Sequence, residues 1–358
     1  MVYVRLTEIL RDVPLDDDRW DWGDARPVAT EHLGRPCISL ETPLATVAGL
    51  ELENGMIELD LAVGAARGFH GVVWRLRDAE NFESFFVRPH QMGNPDAVQY
   101  TPVFNDVSAW QLYHGAGYWA PLAFPLGDWF TIRVAFDGTR AEVFVGETVE
   151  PSLVVSELKH PVAAGLVGIM AGGPPIHIAR FAWSSEVTLG PPAPPAAAAP
   201  DGVVTYWQVS DPFPEALLDG VTALPDRLVA ERSWSGLAAE PSGLTDLARV
   251  NGIRDGRNTV LARATIDAER DEVRALELGF SDRAAVFLNG RALYRGDDTY
   301  RSRDYRFLGS IGYYDTLFLP LRAGRNELVV AVSEDFGGWG VQARLRVIEQ
   351  AERERSEP

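Results

Sequence analysis

From Pro27 to Leu189 the chain consists of short runs in which apolar and polar residues alternate, and Gly, Asn, Asp or Pro closes each run. Alternation at every second position sends successive side chains to opposite faces of an extended strand and fits no helical period. Cys37 to Leu40, Ala45 to Val47, Met56 to Val63, Gly71 to Leu76, Glu83 to Val87 and Val98 to Phe104 read as strands. So do Trp110 to Tyr113, Phe130 to Phe136, Arg140 to Val145, Gly165 to Met170 and Ile176 to Trp183. Asp137-Gly138, between two such runs, signals a hairpin. This pattern confines the chain to antiparallel sandwiches or jelly rolls.

The stretch GPPAPPAAAAP, residues 190 to 200, interrupts the pattern. Proline removes backbone donors and fixes φ, so a run this dense favours an extended, semi-rigid spacer. Beyond it the strands resume, with Asn289-Gly290 as a second hairpin signal and a helical turn around Ser242 to Val250. A length of 358 residues is enough for two cores. The expected fold is all-β: two antiparallel β-sandwich (jelly-roll) domains joined by a Pro/Ala-rich linker. Its parts are a lead-in at 1–26, a first domain at 27–189, the linker at 190–202, a second domain at 203–348 and a charged tail at 349–358. Within the lead-in, LTEILRD fits a turn or two of helix. The Asp16-Asp17-Asp18 run before Trp20 and Trp22 reads as a surface segment that tucks aromatics inward.

Composition removes several function classes. A formal charge of -18 is the wrong sign for a phosphate backbone or an anionic membrane, so neither nucleic acid nor membrane is an expected partner. Cys37 has no cysteine to pair with and reads as a small buried hydrophobe. The N-terminal residues lack the pattern of a secretory signal, and no stretch approaches a membrane span, so a cytoplasmic location is expected. Asp16, Asp17, Asp18 and Asp21 lack the Gly and terminal Glu of a calcium loop. His70, His90, His114 and His177 form no ligand pair in sequence, and no phosphate loop, dinucleotide fingerprint or nucleophile elbow is present. No cofactor or metal is implied, and the oligomeric state stays open.

The stretch Gly68 to Trp119 differs from its surroundings, because its strands crowd multi-donor side chains among Phe, Tyr and Trp. Strand parity places Ser84, Phe86, Arg88 and His90 on one face and Glu83, Phe85 and Val87 on the core side. If neighbouring strands align, Arg88, His90, Gln99, Asn105, Gln111 and Tyr113 converge, with Tyr118 and Trp119 as a stacking platform. Amides and guanidinium groups pair with hydroxyls while indole and phenol rings pack on sugar C–H faces, so the ligand expected is a carbohydrate or glycoside. Hydrolysis needs two carboxyl groups flanking a glycosidic bond, and Glu83 with His90 is the pair weighed for it. A buried Glu83 tied to Arg75 or Arg77 is the structural alternative.

The runs ENGMIELDLAV, GFHGVVWRLRDAENFESFFVRPH and DWFTIRVAFDGTRAEVFVG make residues 27 to 187 resemble the concanavalin-like, laminin-G-like jelly rolls of bacterial carbohydrate-active proteins. Hydrolases of that kind often carry an E-x-D-x-x or E-x-D-x-E strand. Glu58-Leu59-Asp60 is the nearest match here and lacks the second Glu. VFLNGRALYRG and LRAGRNELVVAV make the second half resemble galactose-binding-like β-sandwiches. The resemblance implies carbohydrate recognition in the first domain. The alternatives are a glycoside hydrolase or lyase using the same cleft and a non-catalytic accessory module.

Overall fold

In the strand Gly55–Ala62, Ile57, Leu59 and Leu61 are wholly buried, while Glu58 and Asp60 take the opposite face. Its neighbour Trp129–Asp137 repeats the arrangement, with Ile132, Val134 and Phe136 inward and Thr131 and Arg133 outward. The two strands pair antiparallel with Ile132 opposite Leu59, and each aliphatic side chain so buried contributes about 1.5–3 kcal/mol. This computed structural model describes residues 10–192 and 200–347. The helical reading of LTEILRD lies outside the described residues at 6–9 and is overturned at its other end, where Arg11–Val13 is a strand. Most of the proline-rich spacer (193–199) and the charged tail also lie outside the described residues.

The chain divides into two compact units. In the first, antiparallel strands follow the order Trp119–Ala120, Val98–Phe104, Asn81–Val87, Phe69–Asp78, Gly165–Ser184, Gly55–Ala62, Trp129–Asp137, Arg140–Val145 and Leu153–Val155. Gly165–Ser184 curls the sheet: residues 166–172 pair with Phe69–Asp78, and residues 177–184 pair with Gly55–Ala62. It also runs beside the 18-residue strand Arg35–Leu52, with register shifts where it bends. A Cβ at Gly168 would lie 1.9 Å from the Ala45 carbonyl oxygen, so this crossing requires glycine. Trp74, Phe85, Tyr100, Phe136 and Phe181 fill the interior with aliphatic neighbours, and Cys37 is buried with a free thiol.

Two expectations about strand ends change. Cys37 to Leu40 and Ala45 to Val47 are parts of one strand, and so are Gly165 to Met170 and Ile176 to Trp183. The prolines and glycines that punctuate these stretches fall at the register shifts, which absorb missing donors without ending the pairing. The lead-in is not separate from the first domain: Arg11–Val13 pairs with Gly165–Ser184, and Trp20–Asp21 pairs with Arg35–Leu52. Trp20 is 6% exposed, stacked on Trp22 at 4.6 Å and edge-on to Phe181 at 5.1 Å.

In the second unit, among the described residues, one sheet orders Trp234–Ala238, Tyr206–Ser210, Thr259–Ala268, Gly324–Ser333, Arg283–Leu288 and Arg291–Asp297. The other orders Thr245–Asp246, Gly340–Val347, Glu272–Ser281 and Asp315–Leu321. Leu276, Leu278, Phe280, Val330, Val332 and Trp339 are central to its core. Asn289 and Gly290 both adopt positive φ (49° and 78°), as a tight hairpin turn requires. The helical turn is Leu247–Arg249, capped by the Asp246 carboxylate on the Ala248 amide.

A boundary placed at the proline run alone assigns Phe104–Leu112 to the first domain, whereas its contacts assign it to the second unit. Phe104 and Val107 join the core that holds Trp207 and Trp339. Trp110 to Tyr113 accordingly forms turns rather than a strand. The Gln111 amide donates to the Gly337 carbonyl (2.7 Å), and the Ile311 amide donates to the Gln111 carbonyl (3.0 Å).

Candidate functional site

The polar residues expected to share one hollow between positions 83 and 119 are divided. Arg88, Gln99 and Tyr113 lie in the first unit at 0–4% exposure, whereas Asn105 and Gln111 belong to the second. Arg88 donates to the Asp96 carbonyl (2.7 Å) and to the Gln99 side-chain oxygen, and Gln99 donates onward to the Tyr113 carbonyl (2.7 Å). Burial lowers the Arg88 guanidinium to about 10, and its positive face rests on the Phe86 ring at 4.8 Å. Asn105 donates to the Ala248 carbonyl, and the fully buried Gln111 donates to the Leu308 carbonyl (2.7 Å each). These groups stitch loops and strand ends together, which corrects the expectation of an open constellation.

His90 is half-buried, edge-on to Phe69 at 5.7 Å, with its Nδ1 unpartnered; burial first, then Arg67 and Arg88, lower its pKa. Tyr118 and Trp119 are also half-buried, Tyr118 5.4 Å from the Tyr113 ring and Trp119 5.5 Å from His114. Glu83 lies on the core side, as parity predicts, and is wholly buried. One oxygen accepts from the Tyr100 hydroxyl (2.7 Å) and the other from the His160 amide (2.9 Å). Arg75 does not pair with it and instead donates to the Glu53 and Gly138 carbonyls. Burial, followed by the charge of Glu83, pushes the Tyr100 hydroxyl well above its ordinary range. With both oxygens committed inside the core, Glu83 braces the fold and has no route to a glycosidic oxygen.

A better-formed site lies elsewhere in this unit, on the polar face of Gly55–Ala62 and Trp129–Asp137. Glu58 accepts from Arg133 (2.5 Å) and from Arg180 (2.8 Å), and Arg180 also bonds Asp12 (2.6 Å). Asp60 accepts from the Thr131 hydroxyl (2.7 Å) and from Arg35 (2.5 Å). Cross-strand register causes this, since Arg133 sits opposite Glu58 and Thr131 opposite Asp60, with Arg180 paired on the other side. Beside them the His32 and His177 rings stack at 4.2 Å, and burial followed by the charge of His32 lowers the His177 pKa. Trp129 donates its indole N–H to the His32 carbonyl (3.2 Å), and the Arg35 guanidinium lies 5.0 Å over its ring.

Over this face opens a hollow of about 540 Å³. Arg35, Asp60, Trp129, Thr131 and Glu147 contribute polar or aromatic lining, and residues 123–125 supply an apolar wall. The Glu58-Leu59-Asp60 strand was visible in the sequence. Its arginine and threonine partners come from strands 25 to 122 residues away and carried no local signal. Among the described residues, no group of three or more His, Cys, Asp or Glu is placed to hold a metal ion, and no helix is long and apolar enough to cross a membrane.

The second unit contains a different chemical feature. Asp282, Asp298 and Glu334 are 0–1% exposed, and each leaves one carboxylate oxygen without a hydrogen bond. Burial raises Asp282 and Asp298 to about 6 and Glu334 well above its ordinary range. Asp298 is bridged by Arg303, which also binds Asp315 at 2.8 Å. Trp339 is wholly buried and donates to the Val332 carbonyl (3.0 Å), so it belongs to the core.

No protein-family model and no curated protein matches the chain. Among solved structures it is similar to a carbohydrate-binding module from Bacillus subtilis, at 12% identity and TM-score 0.33, over 46% of this chain and 91% of that one. It is similar to the beta-glucanase of Bacillus licheniformis at 11% identity and TM-score 0.35, over 50% and 98%. Domain 4 of an extracellular arabinanase from Geobacillus stearothermophilus, solved with arabinotriose, aligns at 11% identity and TM-score 0.30, over 50% and 83%.

Proposed function

We propose that the first unit binds a carbohydrate in the hollow over Gly55–Ala62 and Trp129–Asp137, and binds it without turnover. The observation that carries this reading is one cavity of about 540 Å³ lined by a guanidinium, carboxylates, a threonine hydroxyl and an indole. That volume falls within the range of small-molecule sites, and the lining has the donors, acceptors and ring surface that a hydroxyl-rich ligand needs. The ion pairs of Asp60 and Glu58 hold the polar face in place before a ligand arrives, which lowers the cost of ordering it on binding.

Binding is favoured over hydrolysis because both oxygens of Glu58 and both of Asp60 already accept hydrogen bonds. Ala62 occupies the next position on that face, where a second Glu would complete the E-x-D-x-E strand. Hydrolysis needs a pair of carboxyl groups flanking the bond, and of those lining the hollow Glu147 alone stands outside these ion pairs, so the second member of a pair is missing.

Calorimetric titration of the full chain with a panel of neutral mono- and oligosaccharides tests the reading. A binding sugar is expected, with affinity reduced at least tenfold by Trp129→Ala and by Ala123→Trp. The second change fills the hollow from an exposed rim position and leaves the core untouched. No binding by any sugar, or equal binding by Ala123→Trp, sinks the site. Sustained release of reducing ends from the bound sugar sinks the absence of turnover.

A further inference from the structure

The second unit holds a larger hollow, about 670 Å³, at one end of its own sandwich. Turns around Asp271, Asn289 and Arg322 form it. Its floor is fixed by side-chain bonds to backbone. The fully buried Asn326 accepts from the Arg322 amide (3.0 Å) and donates to the Arg322 carbonyl (2.8 Å). Asn289 accepts from the Glu327 amide (2.9 Å) and donates to the Asn326 side-chain oxygen (2.9 Å). Asp271 accepts from the Ala323 amide (2.8 Å), which ties the third turn to the same floor.

The lining charges are committed unequally. Glu272 is neutralised by Arg274 at 2.5 Å, and one oxygen of Asp271 is taken by the backbone. Arg291 and Arg322 line the same hollow, are exposed, and form no ion pair among the described residues. In a chain with formal charge -18, these two guanidinium groups lie in one concavity without a carboxylate partner among the described residues. Beside them Val273 (46% exposed), Leu293 (40% exposed) and the exposed Pro320 present an aliphatic wall. No aromatic ring lines this hollow, so a neutral sugar finds no stacking surface there.

We propose that this hollow is a second ligand site, which binds a small organic carboxylate. The guanidinium groups of Arg291 and Arg322 take the carboxylate, a geometry to which arginine is suited. The carbon skeleton lies against Val273, Leu293 and Pro320. The site is independent of the carbohydrate hollow in the first unit, since no residue lines both.

The test is calorimetric titration and thermal-shift measurement with sodium glucuronate, sodium hexanoate, D-glucose and hexan-1-ol as probes, on the full chain carrying Ala123→Trp, so that the first-unit hollow is filled and takes up no sugar. At least one carboxylate is expected to bind and raise the melting temperature, by mass action on the native state. The uncharged counterpart of that probe is expected to leave the hollow empty. Glucuronate or hexanoate as the tighter ligand identifies an acidic sugar or an aliphatic acid as the source. The double variant Arg291→Gln/Arg322→Gln is expected to weaken binding at least tenfold with no change in melting temperature without ligand, because both side chains are exposed. Raised salt is expected to weaken it as well. Failure of both carboxylates to bind, undiminished binding by the double variant, or equal binding of the uncharged counterpart overturns the proposal. Trp129→Ala leaves it untouched, so the two sites fail separately.

Discussion

Replacing Asp282 with asparagine is expected to stabilise the protein at neutral pH and to have little effect near pH 4. The Asp282 side chain is 1% exposed; one oxygen accepts from the Asp335 amide at 3.0 Å and the other has no hydrogen bond. Burial is the main reason its carboxyl rises from 3.8 to about 6. The native state therefore keeps a proton that the unfolded chain has already lost, and stability falls as pH rises from near 4 to near 6. Above that window a rise of this size corresponds to a penalty of about 3 kcal/mol. Asparagine has nearly the same shape, can still accept from Asp335 and carries no charge at any pH, so the variant's advantage grows from near zero at pH 4 to about 3 kcal/mol at pH 8. It also removes the neighbouring charge that helps raise Glu334. Urea denaturation followed by circular dichroism, with both proteins measured at each pH, reads this difference directly. Equal stability at pH 8, or the same destabilisation by Asp282→Asn at every pH, would refute the account of a desolvated carboxylate.

Three further outcomes follow from the same reasoning. His70 is 2% exposed and burial lowers it to about 4, so the native state resists protonation, and about 3 kcal/mol is lost as pH falls from 6.5 to 4; His70→Leu should flatten that part of the pH–stability profile. Glu83→Gln presents an amide N–H where an acceptor is needed by Tyr100 or by the His160 amide, and should cost about 1–3 kcal/mol by thermal denaturation while leaving sugar affinity unchanged. Gly337 has φ +110°, and an added Cβ would lie 2.1 Å from the Gln111 side-chain oxygen. Gly337→Ala should therefore cost about 1–3 kcal/mol of backbone strain in addition to displacing Gln111, measurable as a lower urea midpoint.

The class of fold was legible because its signals are local. Alternation in Gly55–Ala62 and Trp129–Asp137 places Leu59 and Ile132 inward without knowledge of their partners, and Asn289-Gly290 specifies a turn through its own backbone preferences. Strand ends were less legible, since Pro43, Pro174 and Pro175 mark bends and register shifts inside strands as readily as they mark ends. The candidate site was least legible. Arg88, Gln99 and Gln111 have the donors of a sugar site, but the same donors satisfy buried carbonyls, and only the fold decides which use prevails. The hollow over Asp60 depends on register between distant strands, and Trp110 to Tyr113 resembled a strand because its partners lie some 200 residues onward.

The placement of Phe104 and Val107 in the core of the second unit bears on how the molecule is made. A ribosome delivers these residues long before the sheets that enclose them. A fragment that starts at the spacer would hold every strand of the later sheets yet lack Phe104, Val107 and Gln111, leaving its interior unfilled. Cutting the gene where the prolines invite it therefore yields a C-terminal product that needs a peptide from the other piece to become whole.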